Sequence, residues 1–201
     1  MKLNFIEFNL VNNPLRKLIQ NQVEIKGFLD VPNYVKNGKV IEIGCGSGYG
    51  TKLINHYFKP KEIYGIDVDE KMIYLAKKNK LPNVLFSVGD ATKLPFKDAS
   101  VNGVFDFAVI HHIPNWKKSI DEIYRVLKKR GQAFIEDASY ETFNTPFGKI
   151  NKIFCDHPYQ SMYKLDEFFN YFEKKGFKVL KKKIYKPLGL TSRFIVVGIK
   201  Q

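Results

Sequence analysis

From Lys39 onward, short apolar runs alternate with stretches of helical period. The runs are KVIEIG, EIYGID, NVLFSVGD, VNGVFDFAVI and QAFIED. Between them lie a helical stretch at Lys52–Phe58 and another from about Asp69 to Asn79, where Met72, Ile73 and Ala76 recur at buried spacing. A third helix is predicted over Ser119–Lys129, with Ile120, Ile123, Val126 and Leu127 as its apolar stripe and Gly131 as its terminator. This alternation predicts an α/β fold, a parallel sheet with helices on both faces. Leu165–Lys175 reads as a further helix turning Leu165, Phe168, Phe169 and Phe172 inward, with Gly176 closing it. The last two runs, FKVLKKKIY and SRFIVVGIK, are joined by KPLGLT and read as a C-terminal antiparallel hairpin.

Two regions break the rhythm. Residues 1–38 look helical in parts and are expected to cap the ligand edge of the sheet. Residues 138–163 carry aromatics, Pro146, Gly148 and Pro158 in place of clean periodicity. That insertion, with Phe143, Phe147, Phe154 and His157, is the expected substrate cover, although its aromatics also suit simple packing onto the sheet. A length of 201 residues fits one domain, 1–201.

Composition adds limits. No apolar run approaches the roughly 20 residues of a membrane span, and the N-terminus lacks the apolar core of a signal peptide. Cys45 and Cys155 show no C-x-x-C or metal-ligand spacing, so a reducing cytoplasm is expected. The formal charge of +13 raises RNA as a partner, but the lysines are spread over every element. That distribution favours solvated faces over one basic groove.

Candidate chemistry concentrates at Val40–Gly50. A strand runs into a turn with glycine at alternate positions, Gly44, Gly46 and Gly48, then into a helix. Such glycines let a ligand meet bare backbone, and in open α/β sheets this crevice takes nucleotide-like ligands. A dinucleotide fingerprint fails here, because Tyr49 or Thr51 stands where its third glycine belongs; the P-loop pattern is absent. Glu42, two residues ahead, would repel phosphates and welcomes a cation.

The segment E-x-G-x-G-x-G resembles the first motif of class I S-adenosylmethionine-dependent methyltransferases, and the order of later segments follows that family from about Val35 to Asp137. The resemblance implies a Rossmann-like, doubly wound, seven-stranded, mostly parallel sheet and S-adenosyl-L-methionine as cofactor, with S-adenosyl-L-homocysteine as product. It implies cofactor contacts from Glu42, Gly44, Cys45, Gly46 and Gly48, ribose hydroxyls on Asp67, and adenine against Val68, Met72, Asp90 and Ala91.

The fourth run ends beside the reacting methyl in this family. Here it reads VFDFAVIHHIPNW, without the [DN]-P-P-[YF] of nucleobase and glutamine amino-nitrogen methyltransferases. Neither cysteine resembles the nucleophile of cytosine-carbon methylation. L-P-F…H-H-I-P-N-W instead resembles the small-molecule group, which implies transfer to oxygen, nitrogen or carbon of a small acceptor. Members usually carry Phe-Asp where this chain has Val101-Asn102, so Asp106 is a candidate either for the cofactor's ammonium or as a base, with capping of the next turn as its structural alternative. His111 and His112 are candidate bases, one expected to face the adenosine edge and the other the sheet or solvent. Glu136 and Asp137 end strand five on the same edge, where one can meet a cation or brace the cover. His111 stands where metal-dependent relatives place a glutamate, so no metal is expected. RNA methylation and a non-catalytic interaction module are the alternative functions.

Overall fold

The computed structural model describes residues 12–145, 148–149, 159–186 and 191–201. Seven strands form one sheet: β1 (Lys39–Ile43), β2 (Glu62–Asp67), β3 (Val84–Val88), β4 (Val101–Phe107), β5 (Leu127–Ala138), β6 (Phe177–Tyr185) and β7 (Arg193–Lys200). Their order is β3-β2-β1-β4-β5-β7-β6. The first five pair in parallel, while β7 lies antiparallel to both β5 and β6. The expected fold class is therefore the observed one.

Helices α1 (Pro14–Ile19), α2 (Tyr49–Phe58), α3 (Glu70–Ala76), α4 (Trp116–Val126) and α5 (Leu165–Lys174) flank the sheet. Central strands are buried on both faces, so they read as nearly continuous apolar runs. Val104 on β4 joins one core with Ile120 and Ile123 of α4 and Phe168 and Phe172 of α5. Its neighbour Phe105 faces the opposite core, with Phe28, Phe58 and Phe134. There the Phe105 and Phe134 rings stack with centroids 4.4 Å apart and planes 2° from parallel. The alternation of side chains along a strand thus divides one sequence between two hydrophobic layers.

One boundary differs from expectation. The helix predicted to reach Lys129 stops at Val126, and β5 begins at Leu127, which pairs with Val101 of β4. Pairing resumes at Gln132 opposite Gly103, and the exposed Lys128, Lys129 and Arg130 bulge outward, Arg130 with φ 63°. Burying Leu127 on β4 outweighs another helical turn made of three cationic residues. Gly131 therefore serves the bulge and caps no helix.

The N-terminal cap begins where Asn13 accepts hydrogen bonds from the backbone N–H groups of Leu15 and Arg16. The chain then continues through a π-helical Gln20–Glu24 and a 3-10 Ile25–Phe28. This register turns the carboxylate of Glu24 fully inward. Of the 138–163 insertion, the described flanks include a short 3-10 segment at Tyr140–Asn144 and two core residues, Phe143 and Tyr163. Phe147, Phe154, Cys155 and His157 lie outside the described residues. No helix among the described residues is long and apolar enough to cross a membrane.

Candidate active site

A cavity of about 550 Å³ opens over the C-terminal ends of β1, β2 and β4, where open α/β sheets hold their ligands. Its volume lies within the roughly 300–1,000 Å³ of small-molecule sites. Glu42, Gly44, Cys45, Gly46, Asp67, Val68, Met72, Asp90, Ala91, His111 and His112 all stand on its wall. So does part of the N-terminal cap, through Asn12, Arg16, Lys17 and Gln20.

The glycine turn shows why one position differs from the next. Gly46 adopts φ +51°, and a Cβ built there would meet nothing within 4 Å. Its backbone faces open cavity, and its N–H donates to Asp67 Oδ2 at 2.9 Å. Gly48 also has a left-handed φ of +82°, but a Cβ there would press Asn79, Phe86 and Ala76. Gly48 is absent from the cavity wall. It stands at the start of α2, where the chain turns into the body of the protein, and its side-chain position is taken up by packing.

Glu42 is buried at the back of the turn and accepts a hydrogen bond from the Thr51 hydroxyl. Burial is the main force pushing its carboxyl from 4.5 up to about 8, and the negative charge of Asp67 adds to it. Asp67 ends β2 and also accepts from the Asp69 N–H at 2.9 Å. Burial raises its pKa against the pull of these two backbone bonds. Asp90 holds its own loop, accepting from the Thr92 N–H at 2.7 Å and hydroxyl at 2.9 Å.

Past β4 the expectation for Asp106 needs correction. Its side chain is fully buried and stands behind the cavity wall. Oδ1 accepts from the Val109 N–H at 3.1 Å, tying down the turn after β4, whereas Oδ2 is buried with no hydrogen-bond partner among the described residues. Burial, with Asp137 and Glu136 nearby, holds its pKa well above the usual carboxylate range. An enclosed carboxyl that shapes the turn stands apart from the cavity wall. Strand pairing to both β1 and β5 draws this side chain into the interior.

Both histidines reach the cavity, with ring centroids 4.0 Å apart. They differ in their support. His111 is buried, and its Nδ1 pairs with Asp137 Oδ1. Asp137 Oδ2 accepts from the His111 backbone N–H at 2.9 Å and from the Tyr163 hydroxyl at 2.6 Å. Burial raises Asp137 from 3.8 to about 6, so the carboxylate form prevails at neutral pH. A carboxylate facing Nδ1 orients the ring and stabilises its protonated form. The insertion contributes here through Tyr163, behind the wall; none of its described residues lines the cavity.

Sequence reasoning missed Arg16, Glu24 and Arg193. Glu136, expected to meet a ligand or brace a cover, instead pairs with Arg193 through two bonds of 2.7 and 2.6 Å. Arg16 and Glu24 are eight residues apart and share a helix face, a signal readable in advance. Arg193 offered only one cation ahead of an apolar strand. The surface cations follow the dispersed pattern, with Lys39–Glu62, Lys117–Glu167, Arg125–Asp98 and Lys175–Asp121 pairs on different elements. Among the described residues, no three His, Cys, Asp or Glu side chains gather as metal ligands.

Residues 41–135, which carry the glycine turn, Asp67, Asp90 and both histidines, match the methyltransferase domain family. That segment is just under half of the chain, and over it the sequence is similar to methyltransferase domains. The chain is 34% identical over 94 residues to the phthiotriol/phenolphthiotriol dimycocerosates methyltransferase of Mycobacterium tuberculosis, covering 46% of this chain and 35% of that protein. It is 30% identical over 105 residues to a fatty-acid O-methyltransferase of Mycolicibacterium smegmatis, covering 52% and 38%. The match thus spans well under half the length of these curated relatives. In solved structures, the fold resembles a SAM-dependent methyltransferase from Aquifex aeolicus with TM-score 0.74, 20% identity and full coverage of both chains. It also resembles a chain of the complex between the Haloferax volcanii Trm112 methyltransferase activator and a methyltransferase, with TM-score 0.77, 19% identity, and 96% and 97% coverage. Arg16, Glu24, Asp137 and Arg193 lie outside the matched methyltransferase domain segment.

Proposed function

We propose that this protein transfers the methyl group of S-adenosylmethionine to oxygen, nitrogen or carbon of a small-molecule acceptor. The observation that carries the reading is the open backbone of Gly46 between Asp67 and the buried Glu42. This donor set fits the cofactor: a carboxylate suits the ribose hydroxyls, bare backbone suits close approach, and Glu42, whose raised pKa an adjacent positive charge would lower, suits the ammonium. When bound, the cofactor supplies a methyl carbon made electrophilic by its sulfonium. The chain's own work is alignment and exclusion of water. Val68, Met72, Asp90 and Ala91 form the adenine side of the wall, while Gly44 and Cys45 border the turn.

In this proposal His111 accepts the acceptor's proton, with Asp137 as its positioning residue, and His112 shapes the wall beside it. Among the named relatives, one acts on fatty acids and another on phthiotriol dimycocerosates, which supports a small-molecule acceptor. Cytoplasmic location belongs to the same proposal and rests on the two cysteines that lack disulfide or metal spacing. The test is calorimetry with S-adenosylhomocysteine. Micromolar binding by the wild type, lost in Gly46→Val, supports the reading; equal affinity in both proteins, or none in the wild type, overturns it.

A further inference from the structure

Beyond the donor site, the cavity wall carries two arginines that neither the glycine turn nor the histidines employ. Arg193 starts β7, with its backbone paired to Ala138 of β5 and Tyr185 of β6. Nε donates to Glu136 Oε1 at 2.7 Å, and Nη2 donates to Glu136 Oε2 at 2.6 Å and Glu24 Oε1 at 3.2 Å. Nη1 donates to no described residue, and the 18% of the side chain that stays exposed faces the cavity. On the other side of Glu24, Arg16 Nη1 donates to both carboxylate oxygens at 2.8 Å. Nε and Nη2 of Arg16 likewise donate to no described residue, and its side chain is 22% exposed on the same cavity. The Tyr185 hydroxyl completes the cluster with a 2.6 Å bond to Glu136.

We propose that Arg16 and Arg193, held in place by Glu24 and Glu136, form a carboxylate-binding corner of the cavity. The inference rests on the methyltransferase reading above. Guanidinium groups fixed by buried carboxylates keep their remaining N–H donors aimed at a ligand, which suits planar, paired recognition. Charge selects the ligand class. Two arginines face two glutamates, and burial, with the like charge of Glu136 added, pushes Glu24 up to about 7 against the pull of Arg16 and Arg193. Near neutral pH the corner therefore alternates between zero and one net positive charge. That suits a monoanionic carboxylate better than a doubly charged phosphate, and binding draws a proton onto Glu24.

Placement favours the acceptor as the source. Arg193 lies on β7, three strands from β1 in the order β1-β4-β5-β7. At ~4.8 Å per strand the anchor is ~14 Å beyond the glycine turn. Arg16 and Gln20 line the same cavity as the glycine turn, so the donor's own α-carboxylate is the second source of the same chemistry.

Calorimetry separates the two sources. Wild type, Arg16→Gln and Arg193→Lys are titrated with S-adenosylhomocysteine and with its decarboxylated analogue, S-adenosyl-3-thiopropylamine. Each protein, saturated with S-adenosylhomocysteine, is then titrated with dodecanoate and with dodecanol. If the acceptor fills the corner, dodecanoate binds the loaded wild type and weakens at least tenfold in both variants, while S-adenosylhomocysteine affinity holds. If the donor fills it, S-adenosylhomocysteine weakens at least tenfold and the decarboxylated analogue does not. Titrations in buffers of different ionisation enthalpy should show proton uptake near pH 7 that Glu24→Gln abolishes. Circular dichroism confirms folding, and Arg16→Gln, at the solvent-facing end, serves if Arg193→Lys is unfolded. Carboxylate and donor affinities within twofold of wild type in the folded variants overturn the corner but leave the methyltransferase reading intact. Failure of the wild type to bind S-adenosylhomocysteine overturns that reading instead.

Discussion

Glu42→Gln isolates the electrostatics of the proposed donor site with almost no change of shape. Glu42 is buried, and its carboxyl is held at about 8 in the fold against 4.5 when free. The unfolded chain therefore releases the proton well before the folded one does. Stability contributed by the neutral form is complete below pH 4.5 and is lost as pH rises through about 8. Each pH unit in that window costs about 1.4 kcal/mol, so the wild type gives up about 3 kcal/mol between pH 4.5 and pH 7 on account of Glu42. This is an upper limit, because water in the cavity solvates part of the charge. Glutamine cannot ionise, and its amide oxygen still accepts from the Thr51 hydroxyl that Glu42 now holds. Urea unfolding at pH 4.5 and pH 7 should show the variant gaining on wild type by 1–3 kcal/mol across the interval, on the order given by linkage. Glu24 at about 7 and Asp137 at about 6 titrate in both proteins and cancel in the difference. At the same time the variant should bind S-adenosylhomocysteine more weakly, since glutamine cannot ionise to pair with the ammonium proposed to lie beside it. Parallel stability curves for the two proteins would refute the account of Glu42 as a buried, neutral acid.

Three further outcomes are expected. Gly46→Ala adds a methyl that meets nothing within 4 Å but must adopt φ +51°, so stability should fall by only about 1 kcal/mol; in calorimetry, donor affinity should fall far more, and unchanged binding would place the ligand elsewhere. Asp67→Ala removes the acceptor for the Gly46 and Asp69 N–H groups; S-adenosylhomocysteine affinity should drop roughly tenfold to a hundredfold, the scale of losing charge-assisted hydrogen bonds. Asp137→Ala leaves the His111 ring and the buried Tyr163 hydroxyl without their shared acceptor. The loss should be about 3 kcal/mol, a fall of roughly 6–12 °C in Tm, and a Tm within 2 °C of wild type would show that water replaces the carboxylate.

The fold was legible because its signals are local. Central strands such as Val40–Ile43 are buried on both sides, so they stand out as apolar runs, and α4 and α5 show their stripes at helical spacing. The boundary at Leu127 was not legible. A helix-compatible run of Lys128, Lys129 and Arg130 was overruled by the burial of one leucine on a neighbouring strand, and local pattern carries no record of that competition.

The cavity wall along the glycine turn was legible for a related reason. Gly44, Gly46 and Glu42 belong to one strand and its turn, and Asp67 ends the next strand, so order along the chain sets their order in space. Tertiary structure alone decided the rest. Asp106 and Asp137 each lie at the end of a central strand, yet one closes on a turn behind the wall and the other takes up His111 and Tyr163. Arg16 and Glu24 are near neighbours in the chain, but Glu136 and Arg193 come from its last third, and no spacing links them to the cap. They meet because β7 inserts between β5 and β6 while the cap folds across the sheet end. Buried charges must find partners wherever the packing brings them, and that requirement has no periodicity to read.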